Sequence, residues 1–180
     1  MEPVARIATA DSVDAVELAA VAARTFPLAC PPSVAVSDIA AFIDANLSDV
    51  RFTDYLTDPQ RLIFTTSQRG RITGYAMLIT GEPDDPDVQR AVDSRPATEL
   101  SKMYVLPAQH GSGAAAALMQ AALTAAADRG DSCVWLGVNQ KNERAQQFYK
   151  KCGFTISGSR RFRLGRHLES DYVMVRPFMR

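Results

Sequence analysis

The sequence predicts one α/β domain, residues 1–180, built on a mixed sheet flanked by helices. Three observations lead to that fold class. Helical patterns occupy the first third of the chain, two strand-like runs bracket a turn near Gly70, and the remainder alternates strand, helix, strand, helix, strand. A chain of 180 residues with 47% hydrophobic and 22% charged residues can bury a core without disulfides or metals. Its formal net charge of zero argues against broad attraction to nucleic acid or an anionic membrane. No apolar run is long enough to cross a bilayer, and the opening MEPVARIATADS lacks the basic-then-apolar order of a secretion signal, so a cytoplasmic location is expected. Cys30, Cys133 and Cys152 are odd in number and lack metal-ligand spacing, which predicts reduced, structural thiols.

Taken in order, residues 3–8 suit a short first strand, and Asp11 with Asp14 reads as a cap for a helix over residues 12–24. The three prolines of residues 26–32 interrupt regular structure. Ser37 or Asp38 then opens an amphipathic helix carrying Ile39, Phe42, Ile43 and Leu47, and a short third helix over 50–56 buries Phe52, Tyr55 and Leu56. Residues 61–66 and 72–80 form a hairpin. Residues 81–97, with three prolines and the acids Glu82, Asp84, Asp85 and Asp87, read as a loop with a negative lobe. Those acids either attract a cation or are simply solvated. A central strand over 98–106 ends at Pro107 and is followed by a helix over 111–128, closed near Gly130. Residues 133–138, apolar without alternation, form a strand covered on both faces. Asn142 caps a helix ended by Gly153. Residues 154–157 and 171–176 are two last strands, joined by a basic loop holding Arg160, Arg161, Arg163, Arg166 and His167.

Chemistry is expected where the central strand meets its helix. The turn His110-Gly111-Ser112-Gly113 leads into Ala114 and Ala115, small residues where helix N–H groups lack intrahelical partners, so an anion such as a phosphate can approach them. The bland alternative is an ordinary strand-to-helix turn with a small packing face.

The stretch 110–115 resembles the Gln/Arg-X-X-Gly-X-Gly/Ala motif of the GNAT superfamily of N-acetyltransferases, with His110 standing where Gln or Arg is usual. Residues 136–154, LGVNQKNERAQQFYKKCGF, are similar to that superfamily's second signature, in which an Asn, an Ala, a Phe-Tyr pair and a Gly-Phe recur. Residues 99–106, Thr25-Phe26 and 171–174 further resemble bacterial spermidine/spermine N-acetyltransferases of the PaiA type. The resemblance implies a mostly antiparallel twisted sheet that splays at its central strand, acetyl-CoA as co-substrate, no metal, and direct transfer in a ternary complex to a small amine such as a polyamine. It implies that Gly111, Ser112, Gly113, Ala114 and Ala115 hold the pyrophosphate, that the backbone of Met103, Tyr104 and Val105 holds the pantetheine arm, and that Asn142 adds a hydrogen bond to it. The spacing of Leu100, Met103 and Val105 agrees either with a bulge in that strand or with a strand buried on both faces.

Acyl transfer from a thioester to an amine needs a neutral amine, stabilisation of a developing oxyanion and a proton for the leaving thiolate. Tyr149 lies about 100° around the helix from Phe148, so if Phe148 packs on the sheet Tyr149 points toward a cleft, where it is the candidate general acid. Glu99, at the start of the central strand, is either the general base or a solvated strand end. The basic loop either meets the CoA 3′-phosphate or a partner, or is solvated. Direct transfer leaves no covalent role for Cys152. Two rival readings stand beside a small-amine acetyltransferase. A protein N-terminus or lysine as acceptor predicts an open groove across the helices of residues 27–56, and a silent acyl-CoA-binding module predicts binding without turnover. No nucleic-acid or membrane partner is expected, and the apolar run 172–175 with edge strands suggests a homodimer.

Overall fold

The computed structural model describes residues 2–179. Seven strands form one sheet in the order β1-β2-β3-β4-β5-β7-β6. They are β1 (Arg6–Ala8), β2 (Arg61–Gln68), β3 (Arg71–Ile79), β4 (Ala97–Val105), β5 (Cys133–Asn139), β6 (Thr155–Leu164) and β7 (His167–Pro177). Every neighbouring pair is antiparallel except β4 and β5, which is the mixed, mostly antiparallel sheet expected. The helices are α1 (Ala15–Thr25), α2 (Val36–Asn46), α3 (Asp49–Thr57), α4 (Pro86–Ala91), α5 (Ala114–Asp128) and α6 (Glu143–Lys151). No described helix is long and apolar enough to cross a membrane.

Two cores flank the sheet. On one face α5 sets Leu118, Met119, Ala122 and Ala126 against Phe64, Leu78, Leu100, Leu136, Phe154 and Met174. The alanines bring the α5 backbone close to the strands, with little side-chain entropy to lose. On the other face α1 and α3 bury Leu18, Val21, Ala22 and Phe52 against Ile63, Tyr75 and Met77. The hairpin turns at Arg69 and Gly70, both with positive φ, as a two-residue turn compatible with strand twist requires.

Several expectations change. Asp14, not Asp11, caps α1, accepting from the Val16 N–H at 2.8 Å. Within residues 81–97 the acids are not a free lobe: Asp85 caps α4, Pro86 occupies its first turn, and Val88 and Ala91 are buried beside Trp135 and Val173. Asp87 pairs with Arg90 on α4 and Glu82 with Arg95 beyond its end, while Glu82 and Asp84 remain exposed, as the solvated alternative holds. The basic loop is instead most of a long β6–β7 hairpin turning at Gly165. The run 172–175 lies inside the sheet, between β5 and β6, with Val173 and Met174 fully buried, so it is not a free sheet edge.

Candidate active site

Between β4 and β5 the sheet opens. Ala97, Thr98 and Glu99 pair in parallel with Cys133, Val134 and Trp135, after which β4 runs on to Val105 and β5 to Asn139 without pairing. A bulge contributes to the divergence: β3 residues Met77 and Leu78 face Lys102 and Leu100, leaving Ser101 without a partner. The bulge reading of the Leu100, Met103, Val105 spacing therefore holds. The gap is a cleft of about 340 Å³ lined by Met103, Tyr104 and Val105 on one strand and Gly137, Val138 and Asn139 on the other. Unpaired edges in a cleft leave backbone N–H and C=O groups available to a bound chain.

At one end of the cleft the turn before α5 sits beside β4. Gly113 is the α5 N-cap at φ 94°, a left-handed conformation that glycine adopts without strain; it has no side chain to cap the helix, and Ser112 Oγ accepts only the Ala114 N–H, at 3.3 Å. Among the described residues the N–H groups of Gly113, Ala115 and Ala116 have no acceptor, and Gly111, Ser112 and Gly113 are exposed. A positively polarised helix start of this kind suits a pyrophosphate. His110 is fixed on both ring nitrogens. Arg144 donates to its Nδ1 at 3.0 Å, and since a guanidinium cannot accept, Nε2 carries the hydrogen and donates to the Val105 carbonyl at 3.1 Å. The histidine thus ties the turn to the end of β4 and to α6. Asn142 caps α6 by accepting from the Ala145 N–H at 3.2 Å, and it lines the cleft, leaving its amide NH₂ to donate.

Tyr149 lines the same cleft, its ring held between Phe148 and Phe154 at centroid distances of 5.7 and 6.0 Å. Phe148 lines the cleft beside it rather than turning wholly to the sheet. Burial pushes the Tyr149 hydroxyl up to about 12, with Cys152 adding to the shift, so the phenol holds its proton at neutral pH. Burial also raises Tyr104 well above the ordinary phenol range. Glu99 does not line the cleft; it stands upstream of the bulge and favours the charged form of Lys102.

Of the charged residues in the lining, the sequence singled out only Arg160, as part of a basic loop. Lys102, Arg160, Glu169 and Asp171 all line the cleft, together with Phe26, Cys30, Phe162 and Leu164. Asp171 is 5% exposed and pairs with Arg160 Nε at 3.2 Å. Burial raises the Asp171 carboxyl while Arg160 opposes the shift. Glu169 is buried against His167 at 2.9 Å. Lys102 Nζ donates to the Ser101 carbonyl and hydroxyl at 3.2 and 3.3 Å, and burial lowers its pKa. Phe26 stacks on Phe42 at 4.6 Å, and Phe42 meets Phe162 edge-on at 5.7 Å, so α2 is clasped to the β6–β7 hairpin over this end.

An extended slot with donors at one end for a diphosphate, and a polar pocket at the other beyond a protonated phenol, suits a nucleotide-linked acyl carrier meeting a nucleophile. That is the plan of a CoA-dependent acyltransferase. Comparison with known proteins gives the particular family. The acetyltransferase (GNAT) family model matches residues 26–154, and the chain belongs to this family. It is 64% identical over 163 residues to uncharacterized N-acetyltransferases of Mycobacterium tuberculosis and Mycobacterium bovis, covering 91% of this chain and 97% of each relative. In fold it is similar to a PaiA N-acetyltransferase from Thermoplasma acidophilum solved in complex with coenzyme A, at a TM-score of 0.78 and 18% identity, covering 99% of this chain and 100% of that one. The protein is an N-acetyltransferase of this family.

Proposed function

We propose that the protein acetylates a small primary amine by direct transfer, both substrates lying together in the cleft between β4 and β5. The observation that carries this reading is the aromatic chain Phe26, Phe42 and Phe162, which ties α2 to the β6–β7 hairpin and narrows the acceptor end, where a protein acceptor needs a broad groove. When bound, acetyl-CoA supplies an acetyl group already activated as a thioester. The turn 111–115 holds its pyrophosphate, the β4 backbone over 103–105 and the Asn142 amide hold its arm, and the Tyr149 Oη carries the proton that the leaving sulfur takes up. The acceptor's proton leaves at the carboxylate end. Asp171 lines the cleft there, while Glu99 stands outside the lining and favours the charged form of Lys102, which does line it.

The narrower resemblance implies a polyamine acceptor. Asp171 and Glu169 favour a cationic amine, but Arg160 and Lys102 share their wall and limit how much positive charge it accepts. CoA release assayed with spermine, spermidine, monoamines and a lysine peptide tests the reading. Saturable turnover of small amines with little turnover of the peptide is expected. Preference for the peptide would transfer the function to protein acceptors, and acetyl-CoA binding without release on any amine would leave only a binding module.

A further inference from the structure

Arg160 is built into the acceptor wall more elaborately than an ion pair requires. Its guanidinium lies 5.6 Å from the Trp135 ring centroid and 5.8 Å from that of Phe162. It also lies across the backbone of Gly137, where a β-carbon would fall 2.7 Å from Nε. Any larger residue at 137 would expel it. The side chain is 17% exposed, and only Nε donates to a protein acceptor, Asp171 Oδ2. The two terminal nitrogens, with four N–H donors, have no hydrogen-bonding partner among the described residues. The planar end of the fork is therefore held flat beside the cleft and left uncommitted, the geometry that takes a carboxylate through two parallel hydrogen bonds. Lys102, on the bulge of β4, brings a second basic group to the cleft; burial disfavours its charged form, Glu99 opposes that shift and Arg160 adds to it. A pure polycation meets both charges unfavourably. A neutral monoamine leaves the fork unmatched.

We propose that the acceptor is amphoteric, an α-amino acid or a close analogue with an apolar side chain, its carboxylate received by Arg160 and its amine directed past Asp171 toward the thioester. Phe26, Phe162 and Leu164 supply the apolar surface for the side chain. This rests on the acetyl-transfer reading. The neutral amine nitrogen forms the new bond to the acetyl carbon, the carbon–sulfur bond breaks, the amine gives up one proton toward Asp171 or water, and the sulfur takes one from Tyr149, which regains it from solvent. N-acetyl amino acid and free CoA result.

The test compares steady-state CoA release on phenylalanine and leucine, on their amides, on phenethylamine and on spermidine, with wild-type protein and with Arg160→Gln and Lys102→Met. Wild type is expected to lose at least about tenfold in kcat/KM from amino acid to amide, and that ratio is expected to fall to about twofold or less in Arg160→Gln. If Arg160→Gln fails to fold because Asp171 loses its partner, Lys102→Met, which leaves the Arg160–Asp171 pair in place, is expected to shrink the same ratio by about threefold. Equal turnover of acid and amide, or preference for phenethylamine or spermidine, overturns the amphoteric acceptor while leaving acetyl transfer standing. No release on any amine overturns both.

Discussion

Single side chains in this protein do their work through burial. Cys30 lies in the acceptor wall beside Glu169, and burial, with that carboxylate adding to the effect, pushes its thiol up to about 11. The thiolate is therefore scarce at neutral pH. Alkylation by iodoacetamide at pH 7.5 should run more than about tenfold slower than that of a free thiol such as glutathione, and intact mass after incubation with acetyl-CoA should show no adduct on Cys30. Rapid alkylation or a thioester adduct would count against direct transfer. The placement of Asn142 and Tyr149 at the cleft was legible in the sequence because each belongs to one helix and one motif. That of Arg160, Glu169 and Asp171 was not, because they meet only when β6 pairs with β7 and brings its alternate residues to the cleft face. A signal was present. Arg160, Phe162 and Leu164 and then Glu169, Asp171 and Val173 alternate at period two about Gly165, the pattern of a hairpin with one face buried.

Elements position the site through a few side-chain ties. His110 links the phosphate-binding turn, the end of β4 and α6 through Val105 and Arg144. His110→Ala should raise KM for acetyl-CoA by about three- to tenfold, while kcat/KM for the amine at saturating acetyl-CoA changes by less than about twofold. An unchanged KM for acetyl-CoA, measured by initial rates, would remove the tie from the account. The order of most helices and strands was readable from periodicity and turn residues, whereas the spacing in β4 left a bulge and a doubly buried strand equally open until its pairing with β3 decided between them. The α4 turn was hidden by its prolines: in 81–97 they suggested a loop, yet Asp85 followed by Pro86 is a cap and a first-turn proline. The hairpin of β6 and β7 was hidden by arginines, whose charge reads as solvated until tertiary pairing turns Arg160 inward.

Across the whole molecule the function follows from one interruption in the sheet. Seven strands form one sheet that opens where β4 leaves β5 after Glu99, and cores pack on both of its faces. The α5 side brings the helix N-terminus to one end of the gap, while the α1 to α3 side narrows the other to a charged, aromatic-walled pocket. Tyr149 stands where these halves meet. Its raised pKa means that the phenol stays protonated through the ordinary assay range and loses its proton only as pH rises toward about 12, so it imposes no loss of rate between pH 6 and 9. The direct measurement is kcat for Tyr149→Phe across that range, with acetyl-CoA affinity measured separately. The account predicts a fall in kcat of about 10² or more at every pH, with affinity for acetyl-CoA within about threefold of wild type. Wild-type turnover in Tyr149→Phe would contradict it.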